Sequence, residues 1–128
     1  MMDLDKFKKI NDTFGHQVGD KVIINVAKII NENLKGEEYG ARLGGDEYIF
    51  VLAERFHPET VKSAISNILE GVHSIQLKDN TFVSGSIGVI SVSSGELIFD
   101  NMYRSADNAL YKAKADGRNQ IVFGKYKV

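Results

Sequence analysis

The chain contains no cysteine among its 128 residues. Neither a disulfide framework nor a thiolate metal site is therefore possible. Basic residues do not dominate either, because the formal net charge is -1 at pH 7. A duplex nucleic acid would favour a basic surface, so nucleic acid is not expected as a partner.

The sequence also lacks an apolar run long enough to span a bilayer, and no basic or apolar leader precedes Asp3. These absences predict a protein of the reducing cytoplasm whose domain makes no membrane contact. Internal repeats, low-complexity tracts and linkers are missing as well. With 43% hydrophobic residues, the chain is long enough for one domain with a substantial core over residues 1–128.

Two adjacent glycines and two adjacent carboxylates stand between short apolar runs, as Gly44, Gly45, Asp46 and Glu47. Glycine takes a positive φ without a Cβ clash, so this segment predicts a tight β-hairpin turn that a bulky ligand can approach. Two neighbouring carboxylates cost stability unless a cation lies beside them. The alternative interpretation is an ordinary polar hairpin tip.

The first twenty residues carry a second set of chemical groups. Asp3 ends a short apolar run, three lysines (6, 8 and 9) follow, and Asn11 comes next. A carboxylate for a metal, cations for phosphates and an amide for a base edge form a coherent nucleotide-binding set. The alternative is a solvated charged loop that leads into the next helix, with Asp20 as its N-cap.

Hydrophobic periodicity predicts helices over residues 20–34, 58–73 and 100–116, the last ending at Gly117. Residues 75–77 and 82–92 are predicted as strands about a turn at 78–80, and 120–123 as a final strand. Together with the glycine hairpin, this order predicts an α/β (α+β) sandwich. Its central sheet is mostly antiparallel and flanked by helices.

These segments together resemble the GGDEF family, the diguanylate cyclases. The family pattern Asp-x-Asp-x-Phe-Lys-x-Ile-Asn-Asp-x-x-Gly-His-x-x-Gly-Asp is similar to residues 3–20. Arg-x-Gly-Gly-(Asp/Glu)-Glu-Phe is similar to residues 42–48, and Ala-Leu-Tyr-x-Ala-Lys-x-x-Gly-Arg-Asn to residues 109–119. Ser-Gly-Ser-Ile-Gly at 84–88 is also family-like. The fold that the resemblance implies is that of the nucleotide-cyclase and polymerase palm.

The resemblance implies that two GTP molecules condense to cyclic di-GMP and pyrophosphate, each 3′-hydroxyl attacking the other's α-phosphorus with the help of two metal ions. Asp3, Asp46, Glu47 and the carbonyl of Leu4 match metal positions for Mg²⁺ (or Mn²⁺), with Asp46 and Glu47 as the catalytic pair. The remaining matches concern the substrate. Residues expected to bind it are Lys6, Phe7, Lys8, Asn11, His16, Asp20, Arg42, Gly44, Gly45, Lys114 and Arg118.

Within this set, Lys8, Lys114 and Arg118 match phosphate positions, and Asn11 and Asp20 match guanine readers. Other interpretations stay open for some members. Lys114 and Arg118 lie four residues apart near a helix end, where their charges could simply complement the helix dipole. His16 could order a loop. Arg42 could pair with a carboxylate or a phosphate. Tyr103 and Tyr111 are expected to be core or helix-face residues.

The chain departs from the family pattern in three places. The usual N-terminal segment with Asp-x-Leu-Thr-Gly-Leu-x-Asn-Arg is missing, so we expect an N-terminally truncated domain whose first strand is reduced to residues 1–4. Tyr48 replaces the usual Phe, giving a GGDEY variant whose extra hydroxyl needs a partner. Residues 35–38 read Lys-Gly-Glu-Glu where many relatives carry a product-binding Arg-x-x-Asp motif.

Because one domain holds one GTP, the resemblance implies a homodimer for catalysis and a sensor or receiver domain in a longer parent protein. The alternative function is a non-catalytic regulatory GTP-binding module. A different nucleotide cyclase on the same palm is a weaker alternative, against which Asn11 and Asp20 argue.

Overall fold

The computed structural model describes residues 1–53, 57–93, 95 and 97–127. Its strands are β1 (Met2–Leu4), β2 (Tyr39–Gly44), β3 (Glu47–Val51), β4 (Gly85–Val89) and β5 (Ile121–Phe123). Its helices are α1 (Phe7–Phe14), α2 (His16–Glu32), α3 (Pro58–His73) and α4 (Phe99–Ala115), with a short 3-10 helix at Lys78–Asn80.

The five strands form one sheet in the order β2-β3-β1-β4-β5. Three of the pairings are antiparallel, and only β4 and β5 run parallel. The three-residue strand β1 lies at the centre, so that Asp3 faces Glu47 on one side and Ser86 on the other. The predicted α+β fold with a mostly antiparallel sheet is confirmed.

Side chains alternate between the two faces of this sheet. One face carries the larger core, in which Met2, Leu4, Tyr48 and Ile87 pack with residues of α2 and α3. Helix α4 covers the other face and comes very close to β4. A Cβ on Gly88 would lie 2.3 Å from the backbone nitrogen of Leu110, so only glycine fits there.

The Tyr48 hydroxyl has the partner that its burial requires. The side chain is 2% exposed, and its hydroxyl donates to the carbonyl oxygen of Ile23 at 3.0 Å. Burial raises the pKa of Tyr48 to about 12. The variant residue of the GGDEY segment therefore joins β3 to α2 through the core.

The start of the first long helix was predicted wrongly. Helix α2 begins at His16 rather than at residue 20, and residues 7–14 form the separate helix α1, which was not predicted. Phe7, Ile10 and Phe14 recur at helical spacing and all pack on the core, a signal that the prediction missed. Gly15, with φ of +91°, separates the two helices.

The second predicted hairpin was also too long. Strand β4 covers only five residues, and the contact with residues 75–77 reduces to one bridge between Gln76 and Phe82. After this bridge the chain leaves residues 75–77 and approaches β1, since the carbonyl oxygen of Ser84 accepts a hydrogen bond from the N–H of Asp5 at 2.8 Å. Residues 85–87 then pair with β1 instead.

Candidate functional site

The glycine hairpin and β1 bring three carboxylates to one end of the sheet. Asp3 lies directly opposite Glu47 in the β1–β3 pairing, and the N–H of Leu4 donates to the carbonyl oxygen of Asp46 at 3.1 Å. Directly opposed residues place their side chains on the same face, here the face that α4 covers. The structure thus assembles the acidic cluster that the sequence predicted from two distant segments.

The hairpin tip has the conformation that its glycines predicted, with φ of +141° at Gly44 and +53° at Gly45. The Nε of Arg42 donates to the carbonyl oxygen of Gly45 at 2.8 Å. Arg42 therefore closes its own hairpin through a backbone carbonyl rather than through a carboxylate. Its exposed side chain still lies beside the acidic tip, where its charge opposes part of the rise in the pKa of Asp46 that burial causes.

Lys114 brings a positive charge from α4 to the carboxylates. Its ammonium group forms a part-buried ion pair with one oxygen of Asp3. The other oxygen, Oδ1, is buried and has no hydrogen-bond partner among the described residues. Burial raises the pKa of the Asp46 carboxyl, and the charge of Asp3 raises it further. This end of the sheet therefore combines three carboxylates with the ammonium group of Lys114 and the guanidinium group of Arg42.

Tyr103 belongs to the same site, although its sequence position suggested only a core or helix-face residue. Its hydroxyl donates to Oε1 of Glu47 at 3.3 Å, and the charge of Glu47 raises the pKa of the phenol. Tyr103 and Lys114 are eleven residues apart, close to three helical turns, so both lie on one face of α4. That spacing was the signal that could have identified Tyr103.

The predicted phosphate-binding residues lie around two turns with unusual backbone conformations. Lys6 has φ of +53° immediately before α1, and Arg118 has φ of +64° just after α4. Both line an open cleft of about 440 Å³ between α1, residues 79–84 and the turn at 117–119. Phe7 and the exposed Lys8 form the start of α1. Lys6 and Arg118 thus line the cleft from two sides, and Lys9 is a third cation in its lining.

The two predicted guanine readers sit where α1 meets α2. A Cβ on Gly19 would lie 1.8 Å from Oδ1 of Asn11, so the Asn11 side chain rests directly on α2 at Gly19, the residue before Asp20 in the chain. Gly19 is therefore required for this approach, a role that the sequence had not assigned. His16 is the exposed first residue of α2 rather than part of a loop.

The fit of this site to a divalent metal can be judged from its oxygens. Among the described residues, no group of three or more His, Cys, Asp or Glu side chains is arranged to hold a metal ion. The free, buried Oδ1 of Asp3 nevertheless lies opposite Glu47, and the oxygens present are the hard donors that Mg²⁺ prefers. The described side chains thus offer oxygens of the kind that Mg²⁺ prefers, but they are not arranged as a complete set of ligands.

This end of the sheet brings carboxylates together with the ammonium group of Lys114 and the guanidinium group of Arg42. Carboxylates are common ligands of divalent metals in proteins, and such cations are common partners of phosphates. The family profile described as "Diguanylate cyclase, GGDEF domain" matches residues 1–120. The chain belongs to the GGDEF family.

Named relatives agree with this assignment. The chain is 39% identical over 127 residues to a probable diguanylate cyclase, DgcT, of Escherichia coli, covering 95% of this chain and 28% of DgcT. It is 37% identical over 121 residues to a diguanylate cyclase of Vibrio cholerae, covering 93% of this chain and 37% of that protein. The chain thus spans only about a third of the curated relatives that it matches.

Solved structures give the same result. The active GGEEF domain of a diguanylate cyclase from Vibrio cholerae superposes with a TM-score of 0.85 at 35% identity, covering 99% of this chain and 80% of that one. The coiled coil and GGDEF domain of DgcB from Caulobacter crescentus, in complex with c-di-GMP, gives 0.85 at 31% identity, covering 95% and 66%. In the described part of our chain, no helix is both long and apolar enough to cross a membrane.

Proposed function

We propose that this domain condenses two molecules of GTP into cyclic di-GMP, with release of two pyrophosphates. The observation that carries the proposal is the placement of Asp3 opposite Glu47 at one end of the sheet, with Lys114 paired to Asp3. The names of the relatives support the same reaction. An ordinary polar hairpin tip does not explain why Lys114 of α4 pairs with the partly buried Asp3 of β1, which lies opposite the hairpin residue Glu47.

Asp3, Glu47 and the carbonyl of Leu4 would hold Mg²⁺ (or Mn²⁺), with Asp46 alongside. The metal would neutralise the phosphates and acidify the attacking hydroxyl. Asp46 would accept the proton of the 3′-hydroxyl, since its carboxylate lies at the hairpin tip beside the other two. Gly44 and Gly45 leave the backbone at this tip open to the substrate, because nothing lies within 4 Å of a Cβ built on either.

Cations at the end of α4 and at the start of α1 would hold the triphosphate. Lys114 and Arg118 reach it from the end of α4, and Lys8 together with the N–H groups of Lys6 and Phe7 from the start of α1. The first N–H groups of a helix have no partner within the helix and bind anions well. Charge-assisted hydrogen bonds of this kind would fix the α-phosphorus in the position that attack requires.

Guanine recognition would fall to Asn11 and Asp20. A carboxylate that accepts from N1–H and the exocyclic amine of guanine finds neither donor pattern on adenine. His16, one turn before Asp20 on α2, would border the base. The reaction needs two such bound nucleotides facing each other, so two copies of the domain would meet about a two-fold axis.

The test is to incubate the domain with Mg²⁺ and GTP and to separate the products by chromatography. We expect cyclic di-GMP from the natural sequence and none from Asp46→Asn, which keeps the shape of the side chain and removes its charge. Asp100→Asn, at an exposed aspartate of α4, is the matched control and should remain active.

Two results would contradict the proposal. GTP turnover by Asp46→Asn at the natural rate would show that the hairpin is not the active site. Tight GTP binding by the natural sequence without any product, at concentrations where dimers dominate, would instead support the non-catalytic GTP-binding module.

A further inference from the structure

Asp5 is a nearly buried carboxylate that the proposed reaction does not use. It is 9% exposed and accepts three hydrogen bonds: from the hydroxyl of Ser86 at 2.6 Å, from the hydroxyl of Ser84 at 2.7 Å and from the N–H of Asn119 at 3.0 Å. Its own N–H donates to the carbonyl oxygen of Ser84. One side chain thus joins the end of β1, the start of β4 and the turn between α4 and β5.

The turn that Asp5 holds has an unfavourable backbone. Gly117, Arg118 and Asn119 have successive φ values of +122°, +64° and +47°. Arginine and asparagine adopt this region at a cost, and such a conformation persists only where neighbouring contacts enforce it. Here the N–H of Arg118 donates to the carbonyl oxygen of Ala113 at 2.9 Å, and the N–H of Asn119 donates to Asp5.

Lys6, the residue after Asp5 in the chain, also has its φ in the left-handed region. Lys6 follows directly with φ of +53° and leads into α1. Lys6 and Arg118 therefore stand on either side of the same carboxylate and line the same cleft, with Asp5 among the lining residues. A shift of Asp5 would therefore displace both Lys6 and Arg118, which line the cleft from two sides.

We infer that Asp5 is a positioning residue, which fixes Lys6 and Arg118 at the spacing needed to bind the triphosphate of the substrate. The inference rests on the proposed function for the identity of the ligand. Asp5 acts through the turn at 117–119 and not through contact with the nucleotide, because hydrogen bonds from Ser84, Ser86 and Asn119 already occupy its oxygens.

The charge of Asp5 and a positioning role of Asp5 predict opposite effects of its removal on triphosphate binding. A carboxylate in a cleft that binds phosphates repels them, so removing its charge should strengthen triphosphate binding. A positioning role predicts weaker binding when the acceptor oxygens are removed. It also predicts that Asn rescues the loss seen with Ala, because an amide oxygen can still accept from Ser84 and Asn119.

The experiment measures the affinity of a non-hydrolysable GTP analogue and of GMP by calorimetry, with Mg²⁺ present. We expect Asp5→Ala to weaken analogue binding by about tenfold or more, in line with the loss of hydrogen bonds to a charged group. GMP binding should change little, since GMP lacks the outer phosphates. Asp5→Asn should stay near the natural value. Asp79→Ala, at an exposed aspartate that lines the same cleft, is the control and should not weaken analogue binding.

A second readout needs no nucleotide. Hydrogen exchange of the Asn119 amide should be slow in the natural protein and in Asp5→Asn and much faster in Asp5→Ala. If Asp5→Ala does not fold, Ser84→Ala removes one of the three hydrogen bonds at a half-buried position and should give the same changes in smaller measure.

Equal or tighter analogue binding by folded Asp5→Ala, or unchanged exchange at Asn119, would overturn the inference. Failure of the natural protein to bind the analogue would overturn the proposed function instead, while the exchange measurement would still decide whether Asp5 holds the turn.

Discussion

Replacing Tyr48 by Phe removes one hydroxyl from the core and leaves the ring in place. The hydroxyl donates to the carbonyl oxygen of Ile23 at 3.0 Å, and the side chain is 2% exposed. A net hydrogen bond of this kind contributes about 1 kcal/mol. We therefore expect Tyr48→Phe to lower the free energy of unfolding by about 1 kcal/mol at pH 7, although Phe is the usual residue in the family.

The sign of this difference should reverse at high pH. The pKa of Tyr48 is about 12 in the fold, against an ordinary value of 10.0. Below pH 10 the phenol is neutral in both states, and its stabilising contribution is complete. Above pH 10 the unfolded chain loses the proton first, so stability falls by about 1.4 kcal/mol per pH unit until pH 12. Tyr48→Phe lacks this loss and should become the more stable protein above about pH 10.7.

Urea unfolding of both proteins between pH 7 and pH 11 measures the effect as a difference. All other titrating groups are shared, so they cancel. Tyr39→Phe is the matched control, because it removes the same hydroxyl group from a side chain that is 60% exposed. A stability difference between the natural protein and Tyr48→Phe that stays constant from pH 8 to pH 11 would refute the reasoning.

Four other outcomes are expected. Gly88→Ala should lower the free energy of unfolding by about 2 kcal/mol, because its Cβ would meet backbone atoms of α4 at 2.3 and 2.5 Å; Gly85→Ala, whose nearest contact is a flexible methionine, should cost clearly less in the same urea titration. Product formation should rise faster than linearly with protein concentration where monomers dominate, and a linear dependence across a verified dimerisation would contradict the two-fold arrangement. Asp20→Ala should reduce the preference for GTP over ATP in competition binding, and an unchanged preference would remove Asp20 from the base site. Calorimetry should show no tight cyclic di-GMP site that depends on Lys35, because lysine lacks the bidentate fork of arginine. Glu38 also already accepts a hydrogen bond from the backbone N–H of Lys35 at 3.0 Å. A tight site that is lost in Lys35→Ala would prove this prediction wrong.

Features that depend on a few neighbouring residues could be predicted from the sequence. The glycine turn at Gly44 and Gly45, the helix that begins at Pro58 and the helix that ends before Gly117 all follow from local rules about φ and apolar spacing. The acidic cluster could be predicted only because three separated segments resemble one family. Nothing local indicates that Asp3 lies opposite Glu47.

The missed features arise from contacts between distant segments. Helix α1 was not predicted, although Phe7, Ile10 and Phe14 recur at helical spacing and pack on the core. The role of Asp5 depends on serines about eighty residues away. The sequence shows that Asp3 and Asp5 lie two residues apart, as do Ser84 and Ser86. That Asp5 contacts the two serines could not be predicted, because it depends on the register between β1 and β4.

The central position of β1 has a consequence for the order in which the protein folds during synthesis. The strand has only three residues, and its partners lie more than forty and more than eighty residues further along the chain. Lys114 joins Asp3 across 111 residues. Such long-range closure is slow relative to helix formation. During synthesis Asp3 must wait until α4 has left the ribosome, so the ion pair between Asp3 and Lys114 forms only after the residues of α4 have been made.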